Sequence, residues 1–180
     1  MAVTAEMSAC HVVGQAVPGL RARCLLGGHS VLVSAVSEGT RADVVSWLEI
    51  VREVESLFGP MPDFESTLRR NISRGTALCV RDPGGQVLGG MLLRAAPHTQ
   101  ITWPAVRSSA RRQGVGHALV AEALRRYRPL CEVLVDTFGE DSIEGHPARR
   151  LYESFGFLAG EDLPDGPEGG SRQRFRLRRR

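Results

Sequence analysis

No lysine occurs among the 180 residues; all 23 basic positions are arginine. The chain therefore cannot be acylated on lysine side chains of its own, and a Walker phosphate loop, which requires Gly-Lys-Ser/Thr, is excluded. Codon usage in a GC-rich genome accounts for this bias most simply, although arginine also brings a planar fork that matches phosphate oxygens. Long apolar runs are missing too: nothing approaches the roughly 18 residues of a membrane-spanning helix. The opening MAVTAEMSAC sets no basic segment before a sustained apolar stretch, so no secretory signal is read there and a cytoplasmic location is expected. Cysteine is sparse. Cys10, Cys24, Cys79 and Cys131 show neither C-x-x-C spacing nor histidines at metal-ligand intervals, which sets aside a metal site and thiol catalysis. Cys79 and Cys131 lie in apolar runs and read as buried thiols.

What is present is a globular composition, 42% hydrophobic and 24% charged, at a length that suits one domain. Residues 1–29 hold scattered Gly, Pro and small side chains without a period and read as a poorly ordered N-terminal extension. Residues 30–180 read as the single domain. SVLVSAVS (30–37) alternates as a first strand. TRADVVSWLEIVREVESLFG follows, with Thr40 as cap and Val44, Val45, Trp47, Leu48, Val51, Val54 and Leu57 spaced for an amphipathic helix. GPMPD breaks it, and DFESTLRRNISRG (63–75) is a second helix closed by Gly75. TALCVRD (76–82) and QVLGGMLLRAA (86–96) form an antiparallel hairpin about a tight turn. TQITWPAVRS (99–108) is a third strand, in which Pro104 signals an edge or a bulge.

A helix over about 114–128 comes next, its apolar face made by Ala118, Leu119, Ala121, Leu124 and Tyr127, and then CEVLVDTF (131–138), the most buried-looking strand. This strand–helix–strand order predicts a crossover that lays 131–138 parallel beside 101–106. The polar GEDSIEG leads to a short helix from near Pro147 to Gly156, and SRQRFRLRRR reads as a final strand facing its partner with Phe175 and Leu177.

Chemistry concentrates in ARRQGVGHALV (110–120). The first amides of a helix have no partner within it and sit at the positive end of its dipole, so they bind phosphate. Gly114 and Gly116 let an anion approach, and Arg111 and Arg112 add charged donors. A dinucleotide fingerprint would need a third glycine where Leu119 stands, and it would follow the first strand rather than a later one. What remains is R-x-x-G-x-G directly after a strand, which by itself is also an ordinary helix start.

AVRSSARRQGVGHALVAEAL (105–124), a buried strand, and then ARRLYESFGF (148–157) together resemble the GNAT superfamily of acyl-CoA-dependent N-acetyltransferases. The resemblance is strongest over 86–157. It implies a mixed, mostly antiparallel α/β sheet of about six to seven strands, splayed between about 101–106 and 131–136 and flanked by about four helices. It implies acetyl-CoA as co-substrate, with the amides of Gln113, Gly114, Val115, Gly116, His117 and Ala118 on the pyrophosphate. The pantetheine arm would pair with backbone near Ala105 and Val106, and the Val106 amide would polarise the thioester carbonyl as oxyanion donors do. Tyr152 matches the tyrosine that protonates the departing thiolate as general acid. Two family features are missing: the asparagine ahead of the Tyr helix, replaced here by Gly145-His146-Pro147, and a glutamate on the strand ITWPAV. Asp136, Glu140, Asp141 and Glu144 are then the candidate base or amine-binding groups, with His146 a lesser one.

The function expected is acetyl transfer to a primary amine of a small molecule or peptide by direct attack in a ternary complex. The alternatives are a family member using another acyl-CoA, and a nucleic-acid or regulatory module using the six arginines among 172–180. The acidic residues just upstream and a net charge of only +3 argue against nucleic acid. No membrane partner is expected, and strands at the sheet edge leave room for a homodimer.

Overall fold

The computed structural model describes residues 22–26, 29–33, 35–95, 98–126 and 132–178. In chain order the elements are β1 (Ala22–Leu26), β2 (His29–Val33), β3 (Ser37–Glu38), α1 (Val44–Phe58), α2 (Phe64–Ser73), β4 (Ala77–Arg81), β5 (Val87–Arg94), β6 (Thr99–Val106), α3 (Val115–Arg126), β7 (Glu132–Phe138), α4 (His146–Ser154), β8 (Leu158–Leu163) and β9 (Arg172–Arg178). β1 and β2 pair as a two-stranded antiparallel ribbon, and the other strands form a seven-stranded sheet in the order β3-β4-β5-β6-β7-β9-β8. Every neighbouring pair is antiparallel except β6 and β7. This is the splayed, mostly antiparallel sheet with four helices that the motifs predict.

Two differences from the sequence reading stand out. The strand expected over 30–37 is divided between the ribbon and the two-residue β3, and β1 falls inside the stretch read as extension. β8 was not foreseen, because five of its six residues are exposed and carry no alternation. The readings of residues 1–21, of the Cys24, Tyr127 and Cys131 side chains, and of Arg179 and Arg180 fall outside the described residues.

Each face of the sheet carries a core. On one, α3 and α4 cover Leu78, Val80, Met91, Leu93, Ile101, Val133, Val135 and Phe175. On the other, Trp47, Ile50 and Val54 of α1 and Phe64 and Leu68 of α2 pack on Ala77, Cys79, Leu92, Trp103 and Ala105. The α1 face is turned slightly from the one expected: Ile50 is buried and Val45 is 72% exposed. Adjacent glycines in β5 serve opposite cores. A Cβ on Gly90 would stand 2.3 Å from Trp47 Cζ2, and one on Gly89 would stand 2.7 Å from Val115 Cγ1.

α1 is moored at its start. Arg81 of β4 grips buried Asp43 through Nε–Oδ1 (2.7 Å) and Nη2–Oδ2 (2.5 Å), and Thr40 donates N–H and Oγ1–H to Oδ2, both at 2.6 Å. Burial pushes the Asp43 carboxyl up, but these donors outweigh it and hold its pKa at about 2. Cys79 beside this latch is buried, and burial raises its thiol pKa to about 11, so it stays an inert thiol.

Candidate active site

β6 and β7 share three register pairs, Thr99↔Val133, Gln100↔Leu134 and Ile101↔Val135, and then part, although β6 runs on to Val106 and β7 to Phe138. The cause lies in a bulge. Between the pairs Leu92↔Trp103 and Leu93↔Ile101 the residue Thr102 has no partner, and its Oγ1 donates to Leu92 O (3.2 Å). The extra residue shifts the phase of the strand, so Ile101 faces α3 while Trp103 and Ala105 face α1 and α2. The bulge sits two residues ahead of Pro104.

The backbone on the parted edge follows from ladder alternation. Arg107 N–H donates to Leu88 O (2.8 Å), so Ala105 turns its backbone groups to β5, while those of Pro104 and Val106 face the gap. The Val106 N–H thus faces the gap, and the backbone groups of Ala105 do not. Pro104 has no N–H to leave unpaired. Across the gap, Gly139 N–H donates to Ser171 O (2.9 Å), which turns the Phe138 and Asp136 backbone groups toward the gap.

The loop that leaves β6 has two left-handed residues, Arg112 (φ 61°) and Gly114 (φ 81°). A bulky residue in this region is uncommon, and here it folds the chain into a concave turn ahead of α3. The amides of Gln113, Gly114, Val115, Gly116 and His117 have no acceptor among the described residues, since the first bond of the helix runs from Ala118 N–H to Gly114 O (2.9 Å). The Ala118 amide, grouped with them in the sequence reading, is therefore engaged. Arg111 and Arg112 are exposed, and Arg111 Nε reaches Val106 O (3.3 Å), joining the loop to the parted edge. The His117 ring lies tilted against Phe155, 4.5 Å between centroids.

Tyr152 is 1% exposed and meets Phe157 edge-on at 5.6 Å. Burial raises its phenol pKa above the ordinary value. Such a group stays protonated and can donate a hydrogen bond at any working pH, yet full transfer to a thiolate of pKa about 8.5 would run uphill. On the same helix Arg149, not singled out in the sequence, is nine-tenths buried: its Nη1 donates to Phe138 O (3.0 Å) and Gln173 Oε1 (2.8 Å), and its guanidinium lies 4.9 Å from the Phe175 ring centroid. It holds one of the carbonyls that face the gap. A helix of arginines in RRLYES gave no signal of which one turns inward.

The carboxylates separate. Asp136 stands one residue past the last β6–β7 pair, and both its oxygens accept from Arg174, Oδ1 from Nε (2.7 Å) and Oδ2 from Nη2 (2.9 Å), with Gln100 Nε2 also on Oδ2 (3.0 Å). Asp141 accepts from Ser171 Oγ. Glu140 and Glu144 are exposed, with no carboxylate hydrogen bond among the described residues, and His146 Nε2 lies 3.2 Å from Glu140 O. The structure does not gather these acids at one point. Beyond the gap on the α1 side, Trp103 meets Phe64 at 4.5 Å and Phe58 at 6.5 Å, and Phe58 meets Phe138 at 5.6 Å, an aromatic wall.

The C-terminal arginines are not a free basic tail. Arg172 pairs with Glu168, Arg174 with Asp136 and Glu161, Arg176 with Glu161 and Glu132, and Arg178 with Glu132. The charge of 172–178 is thus offset by neighbouring carboxylates, which weighs against the nucleic-acid alternative. Among the described residues no three His, Cys, Asp or Glu side chains come together to hold a metal, and no helix is long and apolar enough to cross a membrane.

A parallel pair that parts in front of an unbonded helix N-terminus, within this strand order, is the fold of an acyl-transferring enzyme. The chain belongs to the acetyltransferase (GNAT) family, whose model matches residues 42–157. Among solved structures it is similar to the NatC complex bound to Gag peptide and CoA, with 17% identity, a TM-score of 0.69 and coverage of 81% of this chain and 98% of that one. It is also similar to Ard1 from Thermoplasma volcanium, at 21% identity, TM-score 0.68, and 80% and 96% coverage. The ribosomal-protein-alanine N-acetyltransferase from Brucella melitensis gives 18% identity, TM-score 0.65, and 80% and 99% coverage. No curated protein sequence matches the chain.

Proposed function

We propose that residues 30–180 act as one domain that transfers the acetyl group of acetyl-CoA to a primary amine, by direct attack in a ternary complex. The observation that carries this reading is the coincidence of the free amides at 113–117 with the unpaired edge of β6 at Val106. The residues present fit the coenzyme: the left-handed pair Arg112 and Gly114 forms the concave turn, and Arg111 and Arg112 supply charge for phosphate. When bound, acetyl-CoA supplies an activated acetyl thioester.

The Val106 N–H would polarise the thioester carbonyl and Tyr152 would hydrogen-bond the departing sulfur without ionising, the coenzyme leaving as its thiolate while water takes the surplus proton from the attacking nitrogen. The aromatic wall of Trp103, Phe58, Phe64 and Phe138 lines the acceptor side, and Asp136 with Arg174 orients the incoming amine rather than stripping its proton. With Asp136 and Asp141 both engaged, an amine that loses its proton readily suits the site best. A peptide α-amine, with pKa about 7.7–8.0, needs less help than a lysine side chain at about 10.4. The NatC structure with Gag peptide and the ribosomal-protein-alanine enzyme among the similar folds support testing peptide N-termini first.

Two-substrate kinetics test the mechanism. Intersecting initial-velocity lines, with no acetylated enzyme detected by mass spectrometry after incubation with acetyl-CoA alone, are expected. Parallel lines with an acetylated protein would overturn direct attack.

A further inference from the structure

The side chains of Arg107 and Ser108, which connect β6 to the loop at 111–117, are tied to α1. Arg107 Nη2 donates to Glu49 Oε2 (2.8 Å) and to Ser46 O (3.3 Å), its Nη1 donates to Glu53 Oε1 (3.1 Å), and its Nε reaches Val87 O (3.3 Å). The other oxygen of Glu53 accepts from Ser108 N–H (2.9 Å) and Ser108 Oγ–H (3.0 Å). The bond from the Ser108 amide is the leading influence on Glu53, whose carboxyl is held below its ordinary value against the opposing effect of burial. Ser46 closes the circuit by accepting Val87 N–H at its Oγ (2.9 Å). From Ser108 the chain continues through a turn whose Ser109 O accepts Gln113 Nε2 (2.8 Å), and so into the left-handed Arg112 and Gly114.

Arg107 therefore looks like a third phosphate-binding arginine in RSSARR, but its donors are spent on α1 and β5 and its charge is offset by two glutamates. We propose that Glu53 and Arg107 are positioning residues that set where the coenzyme loop begins, so that α1 on the acceptor side and the loop on the coenzyme side behave as one mechanical unit. This rests on the reading of 113–117 as the coenzyme loop. It carries a sign that simple electrostatics does not. Glu53 is an anion beside a loop meant for an anion, so as a bystander its removal would tighten binding. As a positioning residue its removal loosens binding, because the Ser108 amide and Arg107 lose their partner.

The experiment uses the full chain and coenzyme A as probe, comparing wild type with Glu53→Ala, Glu53→Gln, and Glu55→Ala as a surface control on the same helix. Calorimetry gives the Kd, hydrogen exchange reports α1 and the loop separately, and thermal melts confirm folding. Expected is a Kd raised about three- to tenfold in Glu53→Ala, partly restored in Glu53→Gln because the amide oxygen still accepts from Ser108, and unchanged in Glu55→Ala. In wild type the coenzyme slows exchange in both segments; in Glu53→Ala it slows the loop but not 44–58. A folded Glu53→Ala that binds equally or more tightly, with α1 still protected, overturns the inference and leaves the coenzyme reading standing. Failure of the wild type to bind coenzyme A overturns both.

Discussion

Ile101 and Val135 are the last partners that β6 and β7 share, and past them the two strands run on without a further register pair. Everything assigned to the site lies at or beyond that pair: the Val106 amide on one edge, Asp136 and the Phe138 carbonyl on the other, and the loop of free amides above. The gap is built by one unpaired residue, Thr102, which alters the phase of β6.

Removing the hydroxyl of Tyr152 should act on catalysis and not on coenzyme binding. Tyr152→Phe is expected to lower kcat about ten- to a hundredfold while the KM for acetyl-CoA stays within about threefold. Because burial raises the phenol pKa above its ordinary value, the wild-type pH–rate profile should show no descending limb from this group up to about pH 10. A fall in kcat near pH 9 that disappears in Tyr152→Phe would contradict this placement.

Gly114 adopts φ 81°, which side chains rarely tolerate, so Gly114→Ala must move the turn that presents the free amides. The variant should raise the Kd for coenzyme A about tenfold or more, while the melting temperature shifts by only a few degrees. Isothermal titration calorimetry and a thermal melt decide it. Unchanged affinity would remove Gly114 from the binding loop.

The Asp43 latch predicts acid sensitivity with a defined sign. The carboxyl pKa is about 2 in the folded chain against 3.8 for the free group, a depressed value, so its stabilisation is fully present above about pH 4 and is lost as the pH falls toward 2. The shift corresponds to about 2 kcal/mol. Urea unfolding should show Asp43→Asn less stable than wild type by about that much or more at pH 7, with the difference narrowing below pH 3. A constant difference across pH would mean that lost packing, not charge, is responsible.

Gly90→Ala would drive a methyl group to 2.3 Å from Trp47 Cζ2, in a core where Trp47 is fully buried. Overpacking of this kind costs about 1–3 kcal/mol. Chemical denaturation measures it, and restoration of stability by a smaller side chain at position 47 in the double variant would show that the clash is the cause.

Much of this was legible in the residues. R-x-x-G-x-G after a strand predicted the loop, LYESFGF predicted the buried helix end, and the run CEVLVDTF predicted a strand parallel to its neighbour. What the sequence concealed was what depends on pairing in space. Thr102 looks like any strand residue, and only the register shows that it is the extra one that turns Trp103 toward α1. β8 is a strand because β9 offers it an edge, not because LAGEDL alternates. Arg107 and Arg111 are four positions apart and chemically alike, yet one is bound to Glu49 and Glu53 and the other is exposed. Asp136 stands out in the sequence as a candidate acid, but its partner Arg174 shows only across the ladder.

Acetyl transfer from acetyl-CoA to an amine is decided by measuring release of free coenzyme A thiol over a panel of peptide N-termini, lysine peptides, polyamines, aminoglycosides and amino acids. Expected is thiol release matched by acetylated product for one amine class, peptide N-termini foremost, and strongly reduced in Tyr152→Phe. Absence of thiol release with every amine, together with no binding of acetyl-CoA, would contradict it.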